Sequence, residues 1–432
     1  MSVDWRGLPL SGADAATTAA IVRFQENFQA FRDEAAAILD VAEAAPGCVT
    51  AQTYAAAMHC YSQAEADIRR DTAPLIERAR AAAAGASERE RLVLAAVEAW
   101  ANADFAAAAA RFEAAATRWP EDITAVKFAE FVFFEAPDFP RHLALMEAVA
   151  AANADLPCFL AMRAFAHELN GDVEAAIEIA DRALAAEPDT PWAHHALAHA
   201  YLNSGRIAEG LVVLDRHAAS WDHHAQGVRG HNAWHLALLH LAVMDVEAAM
   251  ALYRTKVAGI APDSVFEHTD AVGFLWRLEL AGIPVEPAAW AALAGPARRR
   301  AGEAVMPFLN TLYLHALVRA GDTAAAKAAL AALEARKRDA GEPWTTGLAA
   351  CRAVVALAAG DAARGVAALE PVLPTIGCIG GSDAQNDILV LAHIGGLADA
   401  GRSAAAAAAM ARRLAGRAPT PFEAAVGTRR RA

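Results

Sequence analysis

The chain is predicted to fold as an all-α solenoid, a right-handed stack of helical hairpins. Three observations predict this. Ala-rich segments of helical pattern recur in pairs around short turns that carry Gly or Asp, and they do so along most of the 432 residues. Two of those turns, at Gly171 and Gly205, stand 34 positions apart (205 − 171). No stretch alternates β-branched and aromatic residues in the way a sheet needs. A repeat of this kind spreads one continuous core over any length, so residues 1–432 are expected to form a single helical-repeat domain.

Residues 1–85 are N-terminal helices, since Ser11 to Ala84 keeps a helical pattern throughout. Residues 86–258 carry the best-matching repeats. Within them the clearest hairpin runs from Cys158 through Ala164 and His167 to Gly171, then through Ala176 and Ala183 to Pro188. Small side chains at Ala164, Ala176 and Ala183 let two helices approach, Gly171 closes the turn, and Pro188 ends the unit. The pattern is that of the tetratricopeptide repeat. The next copy uses Ala198, Gly205 and Gly210, and then decays, with His217 where Ala is expected. A weaker upstream copy starts at Trp100 and includes Ala115 and Pro120. Residues 259–432 are degenerate hairpins with turns at Gly321-Asp322, Gly360-Asp361 and Gly401-Arg402, after an earlier turn at Met244-Asp245. The least helical stretches, Gly259 to Asp263, Ile283 to Pro287, Gly295 to Val305 and Leu373 to Ser382, are expected to be loops between hairpins. The Ala-rich segment from Asp387 to Gly416 reads as a capping repeat or a face for a homodimer.

Composition excludes several classes. With 51 acidic and 38 basic residues the formal net charge is −13, and the basic runs, Arg298–Arg300 and Arg429–Arg431 among them, are short. Nucleic acid is therefore not an expected partner. The first residues lack the charged and apolar regions of a secretory signal, and no uninterrupted apolar run reaches the roughly 18 residues of a membrane helix. Five scattered cysteines, Cys48, Cys60, Cys158, Cys351 and Cys378, form neither a disulfide framework nor a thiolate metal motif, which fits a cytoplasmic protein.

The densest chemical signal is histidine. Nine of the fifteen lie between Trp192 and His240: His194, His195, His199, His217, His223, His224, His231, His235 and His240. His195/His199 and His231/His235 are each spaced i,i+4, so both rings of a pair share one helix face. With Thr190 as N-cap and Pro191 at N1, His195 and His199 fall at positions five and nine of a first helix, where such stacks turn side chains into a concave groove. Trp192 and Asn203 share that face, and Trp234 lies between the second pair.

These segments, with Trp221, Asp270, the run Leu275 to Leu278 and the run Gly380 to Asp387, resemble the tetratricopeptide repeat protein 38 family, and the resemblance spans most of the chain. It implies an α-solenoid with a polar, histidine-bearing groove and no particular reaction. This sequence departs from the family at two places where a histidine would be expected, Asp383 and Leu312. Asp383 could still act as a ligand, whereas Leu312 could not.

Three readings of the histidines stay open. They are interior polar residues that fix the register of hairpins; or they line a site for a small polar ligand or peptide; or they hold a divalent metal and serve an enzyme, a hydrolase or an oxygenase, with His199, His235 and Asp270 as catalytic candidates. The ligand-binding candidates are Trp192, His195, His199, His231, Trp234, His235, Ser382, Asp383, Gln385 and Asp387. The metal candidates are His195, His199, His231 and His235, with Asp270 or Asp383 as further donors, a set that suits zinc, iron or manganese. No zinc-protease motif is present: no Glu follows His195, and His167-Glu168 meets Gly171 where a second His would fall. Asp270 reads as the N-cap of the helix holding Phe274, Trp276 as packing, and Arg277 as a surface residue. Ser382 and Gln385 have capping-box spacing at a helix start that could also hold an anion, and nothing marks Cys378 as a nucleophile. A groove bearing His, Trp and Asn in place of Lys and Arg favours a small or metal-bearing ligand over an acidic peptide tail.

Overall fold

The structure, a computed structural model, describes residues 2–337 and 340–428; Arg429–Arg431 lie outside the described residues. The fold is all-α, as predicted. Among the described residues the β structure is limited to one isolated bridge, between Val3 and Pro9. The chain divides into two compact units, Met1–Ala200 with His217–Arg229, and Tyr201–Arg216 with Gly230–Ala432.

In the first unit the helices Ala15–Gln29, Val49–Cys60 and Glu65–Ala82 precede the repeats. The model hairpin is Pro157–Leu169 followed by Val173–Ala186. Gly171 takes φ +79° at its turn, a conformation that costs a glycine little, and Asp172 caps the second helix by accepting from the Ala175 N–H. Ala164, Ala176 and Ala183 are buried at the contact, as their size predicts. An aromatic core of Phe28, Tyr54, Trp100, Phe112 and Phe128 fills the earlier hairpins.

The second unit repeats the design. Pro307–Arg319 and Thr323–Lys337, Glu342–Ala358 and Ala362–Leu369, and Asp383–Asp399 and Ser403–Leu414 pair around the predicted turns, with Gly321, Gly360 and Gly401 all at positive φ. Two expected loops are corrected. Gly295–Arg300 is the end of the Pro287–Arg300 helix, which takes Pro296 in its interior. Glu370–Ile379 is a 3-10 helix that continues Ala362–Leu369. Both helical stretches hold a proline in their interior, Pro296 and Pro374. The continuous stretch Ala362–Ile379, of mean hydropathy 1.2, is the one among the described residues long and apolar enough to cross a membrane by length and composition. It contains Arg364, Glu370 and two prolines.

Helix contacts here depend on missing side chains. A Cβ on Gly347 would overlap the ring of Pro307, reaching its Cγ at 2.7 Å. Both partners sit on helices and the proline ring cannot rotate away. Gly347→Ala is expected to cost about 1–3 kcal/mol, read as a lowered urea midpoint at unchanged slope.

Candidate functional site

The two histidine pairs lie on the helices Pro191–Ser204 and Gln226–Ala242, one pair in each unit. In the first unit His195 and His199 stand edge to face, with ring centroids 4.5 Å apart. Trp192 stacks on His195 at 4.1 Å, and Phe165 meets the two imidazoles at steep angles, 4.7 and 5.1 Å away. Glu168 Oε2 lies 3.4 Å from His199 Nδ1, and both side chains are buried. Trp192 is itself anchored, its indole N–H donating to Glu130 Oε1 at 2.8 Å. Lys127 sits 4.0 Å from the Phe31 ring and 5.3 Å from that of Trp192, and 3.7 Å from Glu130. Burial pushes the Lys127 ammonium below its ordinary range and the Glu130 carboxyl above its own, with their mutual attraction opposing both.

In the second unit Asp270 Oδ2 is 2.8 Å from His231 Nδ1. That contact fixes Nδ1 as the protonated nitrogen of a neutral His231 and leaves the lone pair on Nε2. His235 Nε2 lies 3.3 Å from this Nε2. Trp234 stacks on His231 at 5.3 Å and meets His235 at a steep angle at 4.8 Å. Arg277 lies beneath: its guanidinium is 5.5 Å from the Trp234 ring and donates to the carbonyls of Gly273 at 3.0 Å and Ala384 at 2.6 Å. Burial lowers the Arg277 pKa to about 10, against the pull of Asp387 and Asp270.

Several expectations change. Asp270 is no N-cap: Ser264 caps the Val265–Leu280 helix, and Asp270 lies within it, turned to His231. Arg277 is buried, not on the surface, whereas Trp276 is buried packing as expected. His195, His199 and His235 are buried, and His231 keeps 13% of its side chain exposed, so the rings do not open broadly onto a groove. Ser382 and Gln385 do form the predicted capping box. Asp383 is exposed in the first turn of that helix, and Asp387 is held by both oxygens on Arg413 at 2.6 and 2.7 Å. Gln385 and Leu312 share a crevice of about 10 Å³ with Trp234, Asp270 and Arg277, which places the departure at Leu312 beside this pair. The five cysteines are free thiols, and burial raises each pKa, Cys378 included.

Other histidines of the dense segment are structural. His194 accepts the Trp221 indole N–H at Nδ1 (3.1 Å) and donates from Nε2 to the Pro188 carbonyl (3.1 Å), and burial pushes its pKa down to about 3. His224 spans the Ala30 carbonyl and Asp189 at 3.0 and 2.8 Å. The sequence reading missed Glu168 and Phe165 as partners of the first pair. The one signal for Glu168 was its place after His167, weighed only against a protease motif.

A tetratricopeptide repeat family profile matches residues 167–220, which include His195 and His199. Among solved structures the chain is similar to the P58(IPK) TPR domain, at 11% identity over 79% of this chain and 96% of that one, with a TM-score of 0.22. It is also similar to a chain of Naa15/Naa10 bound to HypK-THB, at 13% identity over 94% of this chain and 70% of that one, with a TM-score of 0.25.

Proposed function

We propose that this tetratricopeptide-like repeat protein is a binding protein whose small polar ligand includes a divalent metal ion of the zinc class, with His231 and His235 as nitrogen donors. The observation that carries the reading is the 3.3 Å between Nε2 of His231 and Nε2 of His235. Two nitrogens bound tetrahedrally at about 2.0–2.1 Å from one zinc ion stand roughly 3.3–3.4 Å apart. Asp270 on His231 supplies the carboxylate partner that orients a ligating histidine. The burial of His235 and the small exposure left to His231 favour an ion or a very small molecule over an extended peptide.

The test is elemental analysis of untagged protein purified without chelator, wild type beside His231→Ala/His235→Ala. About one metal ion per chain, lost in the variant, is the expected result. Metal-free wild type that also fails to take up added zinc would overturn the proposal.

A further inference from the structure

The second unit contains a cleft of about 420 Å³ that has no part in the histidine pairs. Its polar wall is built from three helices, Val265–Leu280, Pro307–Arg319 and Asp383–Asp399. His315 stacks on Trp276 at 3.9 Å and 17°, and Trp290 meets its ring at 5.3 Å and 65°. The imidazole is therefore fixed by an aromatic on two sides. It lines the cleft, is 2% exposed, and neither ring nitrogen has a hydrogen-bond partner among the described residues. A buried polar ring without a partner costs about 1–3 kcal/mol.

The groups beside it give the missing partner a chemistry. Glu279 Oε1 accepts from the Arg319 guanidinium at 2.6 Å and from the Trp290 indole N–H at 3.0 Å. Glu279 Oε2 lies 3.9 Å from His315 Nε2, too far for a direct hydrogen bond. A single nitrogen donor about 2.8 Å from each atom would span that gap with its two N–H bonds roughly at right angles. Asp399 adds a second carboxylate to the lining, while Arg319, committed to Glu279, is the one cation there. The remaining wall includes Leu280, Ile283 and Pro284, and Gly395 contributes no side chain.

We propose that this cleft binds a small organic ammonium ion, its nitrogen donating to His315 and Glu279 and its apolar body lying on Leu280, Ile283 and Pro284. Burial and the nearby Arg319 hold His315 neutral, so one of its nitrogens can accept. The net negative lining selects against a carboxylate ligand, and the spacing of two acceptors selects against a neutral one that offers a single donor.

Calorimetry with 2-phenylethylammonium, 2-phenylethanol and phenylacetate tests this, using wild type, His315→Phe and Asp399→Asn. Phenylalanine keeps the stack on Trp276 and removes both nitrogens, so the thermal midpoint of the variant should hold or rise. Saturable binding of the ammonium, at least tenfold tighter than either comparison compound and weakened at least tenfold in His315→Phe and several-fold in Asp399→Asn, is the expected result. No binding of the ammonium, equal binding of the alcohol or the carboxylate, or unchanged affinity in His315→Phe would overturn it. Neither substitution touches His231 or His235, so metal content should be the same in all three proteins.

Discussion

Lowering the pH from 6.5 to 5 is expected to remove several kcal/mol of folding stability. The cause is a set of histidines buried in the neutral form. Burial pushes the pKa of His142 down to about 3. His194 is likewise near 3, and His268 near 4 with Arg300 and Arg299 adding to the effect of burial. In the unfolded chain each titrates near 6.5. Between those values the unfolded state binds more protons, so stability is full above pH 6.5 and falls as the pH drops toward the folded pKa. Each such group contributes a slope of about 1.4 kcal/mol per pH unit, or about 2 kcal/mol between pH 6.5 and 5. Glu135 works the other way. Burial raises its pKa to about 8 against hydrogen bonds from Gln63 and Trp100, so its contribution is present at low pH and lost from about 4.5 up to 8. Urea midpoints measured across pH 5–8 check the balance. His142→Phe isolates one term: His142 stacks on Phe133 and neither of its nitrogens is hydrogen-bonded among the described residues. This variant should be at least as stable as wild type at pH 7 and should lose stability less steeply below pH 6.5. An unchanged slope would show that His142 is not held neutral.

Arg277→Ala is expected to cost about 3–5 kcal/mol, the range for breaking a buried charged contact. The guanidinium is fully enclosed, supports the Trp234 ring, and ties Gly273 of its own helix to Ala384 at the start of Asp383–Asp399. Its loss leaves the Ala384 carbonyl without this donor and opens space beside the Trp234 ring, on which His231 stacks. Thermal denaturation should show a drop of several degrees, and Arg277→Lys should recover little of it, because one ammonium cannot reproduce the planar fork that reaches two carbonyls. A midpoint within about 1 kcal/mol of wild type would mean that the arginine is dispensable for packing.

The hairpins were legible in the sequence because their signals are local. Gly171, Gly205, Gly321, Gly360 and Gly401 all take the positive φ that their turns demand, and the alanines at the contacts are buried. Even Met244, without a glycine's freedom, adopts φ +60° at its predicted turn. The i,i+4 spacing likewise gave the pairs His195/His199 and His231/His235 directly. Their partners were not legible, because side-chain contacts link residues from different hairpins: Asp270 reaches His231 across 39 positions, and Glu168 comes to His199 from the preceding repeat. Asp270 looked like a cap because the residues after it are strongly apolar, yet the helix begins at Val265 with Ser264 as its cap. Arg277 looked like a surface residue because arginine seldom is buried without partners; here its partners are backbone carbonyls, which sequence does not display. The stretches from Gly295 and from Leu373 read as loops, yet helix continues to Arg300 and 3-10 helix to Ile379, with Pro296 and Pro374 inside.

Zinc titrated by calorimetry into chelator-stripped protein, wild type against Asp270→Asn, tests the metal reading most directly. Asparagine keeps the size of the side chain but removes the charge that orients and activates His231. The account predicts saturable binding of about one ion per chain, weakened roughly 10–100-fold by Asp270→Asn. No saturable zinc binding, or equal affinity in the two proteins, would contradict it.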